Sequence, residues 1–132
     1  MTYIDGFVIP VPQGKKEEYR KVAQEAAPLF QEYGAIGIVE CFEDDVKEGK
    51  VTDFRRAVNA ESGEQIVFSW VVWPDKATRD AGNEKMMKDE RMQPKGDVPF
   101  SMQRMIMGGF EPIFQFGENA LTPAKEVERE PA

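Results

Sequence analysis

The sequence predicts an α+β fold: a ferredoxin-like βαββαβ sandwich, with one antiparallel sheet and both helices on one face of it. Three observations predict it. Segments of strand composition and segments of helical periodicity alternate in the order strand, helix, strand, strand, helix, strand. The chain has 132 residues, which suits one hydrophobic core and leaves no room for a second module. Both faces of the strand candidates are apolar, so each face needs cover, and helices can supply it on one side only.

Residues 2–11, TYIDGFVIPV, combine aromatic and β-branched types and run into Pro12 and a Gln-Gly pair, the composition of a strand. Between Lys15 and Tyr33 the apolar positions Tyr19, Val22, Ala23, Ala26, Phe30 and Tyr33 recur at steps of three and four, which makes an amphipathic helix. Gly34 is placed to close it as a left-handed cap, and Pro28 removes one backbone donor inside it. Residues 35–43, AIGIVECFE, form the second strand candidate. The polar stretch 44–64 carries turn points at Gly49 and Gly63 and a short apolar pattern at Val51, Phe54, Ala57 and Val58, an insertion that packs back on the domain.

Residues 65–73, QIVFSWVVW, are the clearest strand, ended by Pro74 with Asp75 as a helix N-cap. A second helix is expected over 75–92, with a thin apolar face of Ala77, Ala81, Met86 and Met87; Gly82 inside it costs about 1 kcal/mol relative to Ala. Pro94, Gly96 and Pro99 open a loop, and Gly108-Gly109 leads into a last strand at 110–116, FEPIFQF. These elements make residues 1–117 a single domain, and 118–132, with little to bury, a disordered tail.

Alternation divides the strand residues into two sets. One holds Ile4, Val8, Val39, Cys41, Ile66, Phe68, Trp70, Val72, Phe110, Phe114 and Phe116; the other holds Tyr3, Phe7, Ile9, Ile36, Ile38, Phe42, Val67, Val71, Trp73 and Ile113. The expectation is a homodimer whose sheets face each other through the second set and close a barrel, a dimeric α/β barrel. Polar groups interrupt this set at Asp5, Glu40, Ser69, Glu111 and Gln115: they either line an apolar cavity of the kind that binds small molecules or pair with arginines at the sheet rim, and no spacing decides whether Asp5, Glu40 and Ser69 converge. Asp5, Glu40 and Ser69 are the catalytic candidates, since carboxylates in apolar surroundings serve as acids and bases. The expected ligand-binding set is Tyr3, Asp5, Phe7, Glu40, Ser69, Trp73 and Arg104. Arg55, Arg56 and Arg104 are the groups suited to an anionic ligand or an acidic partner segment, because planar guanidinium groups capture carboxylates bidentately.

Composition excludes a good deal. With 17 basic against 24 acidic side chains the net charge is −7, which argues against nucleic acid as a partner. There is no histidine, which removes His-ligated haem, His-containing zinc sites and every Ser-His or Cys-His dyad. The single cysteine, Cys41, cannot form an internal disulfide and is expected as an inert, packed thiol in a cytoplasmic protein. No signal-peptide pattern and no stretch of membrane-spanning length occurs, and no phosphate loop, dinucleotide fingerprint, Cys-pair metal motif or EF-hand loop is present. Glu43-Asp44-Asp45 is a run of acids of the solvated kind, so neither a cofactor nor a metal is expected.

YIDGFVIPVP, ECFEDDVKEGKVTDFRRAV, VFSWVVW followed by RDAGNEKMM, and PFSMQRMIMGGFE occur in this order, and together they resemble the YbaA-like family of small bacterial proteins, a domain of unknown function. The resemblance spans about residues 2–117. It implies the dimeric α/β-barrel superfamily and a homodimer, and it brings no activity with it. In the family pattern an Asp follows the Pro-Phe pair before RMI, where this chain has Ser101. The leading reading is a small cytoplasmic homodimer that binds a small apolar or anionic metabolite. The alternatives are a cofactor-independent monooxygenase- or isomerase-like enzyme, and a protein-interaction module.

Overall fold

The computed structural model describes residues 2–94 and 96–117. Four strands, β1 (Tyr3–Val11), β2 (Gly37–Phe42), β3 (Gln65–Trp73) and β4 (Ile106–Phe110), form one sheet in the order β2-β3-β1-β4, with every neighbouring pair antiparallel. Helix α1 (Lys16–Glu32) joins β1 to β2, a single helical turn α2 (Phe54–Ala57) lies in the insertion before β3, and α3 (Lys76–Lys88) follows β3. The chain therefore has the ferredoxin-like α+β architecture that the order of elements predicts.

The cause of each boundary is local. At the end of α1 the Ala35 amide donates to the Phe30 carbonyl at 2.9 Å and Gly34 takes a φ of +112°, the left-handed cap the glycine was expected to provide. Asp75 caps α3 by accepting from the Thr78 amide at 2.7 Å. That helix is shorter than the expected 75–92: it ends at Lys88, and Glu90–Met92 form a separate 3-10 turn held by the Asp89 carboxylate. The insertion packs back through Val58, which is buried, and through Phe54, whose ring meets Phe68 edge-on at 5.9 Å.

The last strand is a correction. The expected strand was 110–116, but β4 is Ile106–Phe110 and residues 111–117 are not a strand; the tail expected at 118–132 lies outside the described residues. The two glycines of β4 look like a turn, and the one at 109 is instead demanded by side chains packed against it. A Cβ at Gly109 would collide with the Tyr3 hydroxyl and come within 2.8 Å of the Arg79 guanidinium. At Gly108 it would lie 3.3 Å from the Phe110 ring.

The faces are a second correction. Antiparallel register puts Ile38, Val71, Asp5 and Gly109 in one row and Glu40, Ser69 and Phe7 in the next. This is the side that α1 and α3 cover: Ile9, Val11, Val67 and Tyr19 form one core cluster, and Ala35, Val71, Trp73 and Met86 another. The set containing Tyr3, Phe7, Ile38, Val67 and Trp73, expected at a dimer interface, is thus the protomer core. The open face carries the other parity, with Val39, Phe68, Ile106 and Phe110 between 42% and 61% exposed. Alternation separates two apolar faces but does not say which of them the helices take.

Helix α3 lies so close to the sheet that Gly82 touches Trp73. A Cβ there would sit 2.8 Å from both the indole ring and the Tyr33 carbonyl oxygen. Helix propensity alone makes Gly82→Ala stabilising by about 1 kcal/mol, whereas overpacking costs about 1–3 kcal/mol. The contact with backbone decides the sign, and urea denaturation is expected to show Gly82→Ala to be less stable than the wild type.

Candidate functional site

Asp5 is buried, as are Trp73 and Ser69 among the expected site residues, and it is fully engaged. Its Oδ2 accepts from Trp73 Nε1 at 3.0 Å, and its Oδ1 accepts from Arg79 Nε at 3.0 Å and Nη2 at 2.8 Å. The same guanidinium lies over the Tyr3 ring, 5.2 Å from its centre. Tyr3, Asp5 and Trp73 therefore form an anchor for α3, with no carboxylate oxygen left free for chemistry, and Phe7 belongs to the packing between the two core clusters.

Glu40 and Ser69 do converge. They are direct partners in the β2–β3 register, and Glu40 Oε1 accepts from the Tyr19 hydroxyl of α1 at 2.7 Å. Glu40 and Tyr19 line a cleft of about 280 Å³ between α1 and the β2 edge of the sheet; Ser69 lies behind Glu40 and is not part of the lining. Ile38, Phe42 and Val67 make its floor; Lys16, Tyr19, Arg20, Ala23, Gln24 and Ala27 make its wall. Those helical positions share one face of α1, and the two alanines leave the gap that larger side chains would close. The Lys16 ammonium sits 5.4 Å from the centre of the Phe42 ring.

Electrostatics mark the same pair. The Glu40 carboxyl is held above its ordinary value because its apolar surroundings strip water from the charged form, with hydrogen bonds from Tyr19 and Ser69 opposing that effect. Burial, and then the charge of Glu40, push the Tyr19 phenol upward too. Glu40 remains partly exposed at the cleft, and a carboxylate hydrogen-bonded from one side can accept a hydrogen bond or a proton from a molecule there.

The remaining candidates lie elsewhere. Arg104 makes a two-pronged pair with Glu64, 2.6 Å to each carboxylate oxygen, and also donates to the Asn59 carbonyl at 3.0 Å. Arg55 donates to the Glu64 carbonyl at 2.6 Å, and Arg56 to the Val51 carbonyl at 2.8 Å and that of Gly49 at 2.5 Å. These three arginines brace the insertion, and Arg104 does not reach the cleft. Glu111 and Gln115 are exposed beyond β4, and Glu43 accepts from the Ile66 amide at 2.8 Å. Among the described residues no acidic or cysteine cluster has metal-binding geometry. Cys41 is exposed at the edge strand beside the cleft, not packed as expected, because its parity is that of the open face. Tyr19, Lys16, Arg20, Ala23 and Ala27 were not among the expected site residues; the signal available was a tyrosine and paired alanines sharing the buried stripe of α1.

Sheet order, helix placement and register define the chain as a ferredoxin-like α+β domain. It belongs to the family described as a protein of unknown function (DUF1428), whose model matches residues 2–102. The uncharacterised protein YbaA of Escherichia coli K12 is 58% identical over 114 residues, covering 86% of this chain and 97% of the relative. The YbaA protein of Shigella flexneri matches to the same extent. Among solved structures, a mutant of MhuD with two manganese protoporphyrin IX molecules bound per active site superposes with a TM-score of 0.60 at 15% identity, covering 88% of this chain and 99% of that one. That likeness concerns the fold.

Two substitutions separate the anchor from the cleft. Asp5→Ala removes the buried partner of Arg79 and is expected to destabilise the protein by roughly 3 kcal/mol, at the low end for buried pairs because Arg79 still reaches solvent and keeps its pair with Asp80. Glu40→Gln is expected to do the opposite at neutral pH. A carboxyl whose folded-state value is raised contributes stability only in its protonated form, and loses it as pH rises from the ordinary value near 4.5 through the raised one. Thermal melts should therefore show Glu40→Gln above the wild type at pH 7, with the gap closing below pH 4.5.

Proposed function

We propose that this protein is a homodimer that binds a small organic molecule in the cleft between α1 and the β2 edge. The observation that carries the binding reading is the cleft itself: a gap that Ala23 and Ala27 leave beside Ile38, Phe42 and Val67, lined by the partly solvated Glu40 carboxylate that the Tyr19 hydroxyl holds in place. The dimer rests on the open sheet face. Val39, Phe68, Trp70, Ile106 and Phe110 lie on it, Phe54 extends it, and a contiguous patch of this kind on a small protein calls for a partner surface. A second copy presents the same patch, and two-fold packing buries both. The single cysteine agrees with a cytoplasmic setting, and no helix among the described residues is long and apolar enough to cross a membrane.

The porphyrin of the MhuD structure does not suit this chain, which has no histidine to ligate iron and a cleft of about 280 Å³, at the small end of ligand pockets. Turnover, if the cleft supports it, would run through Glu40 as the base, because Asp5 is neutralised by Arg79. The interaction-module reading loses its carriers, since Arg55, Arg56 and Arg104 are satisfied internally.

Native mass spectrometry of protein purified gently from its own host tests both parts. A dimer mass with a reproducible small adduct is expected. Phe68→Asp, at a position half exposed in the protomer, should give a folded monomer, and a wild-type monomer at micromolar concentration would overturn the dimer. Ala27→Leu should fill the cleft, keep or raise the melting temperature and abolish the adduct; an adduct that survives it would place the ligand elsewhere.

A further inference from the structure

Resting on the cleft reading above, we propose that the ligand is a small organic acid that is polar at both ends: a carboxylate at the Lys16 and Arg20 rim, an apolar body along Ala23 and Ala27, and a hydroxyl or amine that donates to Glu40. Size comes first. At about 30 Å³ for each water-sized group, a space of about 280 Å³ holds on the order of ten non-hydrogen atoms. That is one ring with short substituents.

Charge gives the orientation. Lys16 and Arg20 are four residues apart and so lie one above the other on α1, both lining the cleft. Their neighbour Lys15 is paired with Glu18 at 3.3 Å, and Arg20 meets Glu17 at 3.4 Å only at the exposed surface. Among the described residues no carboxylate stands within ion-pair distance of Lys16, which rests against the Phe42 ring instead. The rim thus attracts an anion, while Glu40 repels one. A diacid is disfavoured, and so is a ligand with its acid group turned toward Glu40.

Glu40 specifies the other end. A carboxylate has about four lone-pair sites, and the Tyr19 hydroxyl occupies one of them. The remaining acceptor capacity is in the cleft, and a carboxylate there is satisfied by an O–H or N–H group, not by another acceptor. Glu40 is still open to solvent on the cleft side, so a donor from the ligand replaces a water there and gains from the charge of its partner. An apolar body without either polar end would displace water from Glu40 and the Lys16 and Arg20 rim and offer nothing in return.

Three probes read the two ends separately: p-hydroxyphenylacetate has both, phenylacetate lacks the hydroxyl, and p-cresol lacks the acid. Isothermal titration calorimetry at pH 7 on the wild-type protein is expected to rank p-hydroxyphenylacetate first, with each deletion weakening binding by about fivefold or more. Glu40→Gln should shrink the ratio between p-hydroxyphenylacetate and phenylacetate, and Glu40→Leu, checked for folding by circular dichroism, should remove it. Lys16→Ala combined with Arg20→Ala should instead remove the ratio between p-hydroxyphenylacetate and p-cresol. Equal affinities for the three probes, ratios unchanged in the variants, or no binding of any probe at millimolar concentration would each overturn the assignment. Probe binding that Ala27→Leu leaves intact would overturn the cleft reading itself, so the two failures are distinguishable.

Discussion

The buried ion pair between Asp5 and Arg79 is the constraint to which the other elements adjust. Asp5 lies in the middle of β1, a central strand, where an unpaired carboxylate would be too costly to keep ionised. Arg79 is brought to it by α3, whose start is set by the Asp75 cap one turn earlier. Trp73, at the end of β3, donates to the same carboxylate and fills the space against which Gly82 packs. On the far side, β4 can approach only as glycine at position 109, because the Tyr3 hydroxyl and the Arg79 guanidinium occupy the place of a side chain. One polar contact thus fixes the depth of a helix, the rotamer of a tryptophan and the composition of the edge strand.

At the other end of the sheet α1 behaves differently. Where α3 presses onto Trp73 with a glycine, α1 stands off β2 with alanines, and Tyr19 bridges the gap by its hydrogen bond to Glu40. The edge strand β2 has a neighbour on one side only, so the covering helix lacks the second strand that would fill the space beneath it. Larger residues at positions 23 and 27 would add buried apolar area, and a neutral residue at 40 would remove a charge held against its solvation. A site that opposes both stabilising changes has the physical character of a functional one, where stability gives way to an accessible, polarised cavity.

Much of this was legible in the sequence, and the failures have physical causes. The strand 65–73 and the helix beginning near Lys15 follow from period and composition because their patterns are long and locally consistent. The edge strand Ile106–Phe110 was not legible, since Gly108-Gly109 has the composition of a turn and is explained only by side chains from β1, α3 and the residue that follows. The face inversion has a similar origin. Asp5, Glu40 and Ser69 interrupt an apolar parity and look like the lining of an intersubunit cavity; they are tolerated on the helix side because α3 supplies Arg79 and α1 supplies Tyr19. Pairing of Glu40 with Ser69 needed the register of two strands that are distant in sequence, and the cleft needed the distance between a helix and a sheet edge, which no periodicity encodes.

Parity then separates the two surfaces that matter. In a strand, adjacent residues point to opposite faces, so Val39 belongs to the open face, Glu40 to the cleft, and Phe68 to the open face again while Ser69 backs Glu40. The surface that would meet a second copy and the surface that would meet a ligand are therefore interleaved along β2 and β3 yet isolated by the thickness of one sheet. Substitutions at one parity leave the other chemically unchanged. Any influence of assembly on binding must pass through the backbone of β2, whose outer edge is unpaired in the protomer and is thus the part of the sheet that packing against a partner can most readily shift.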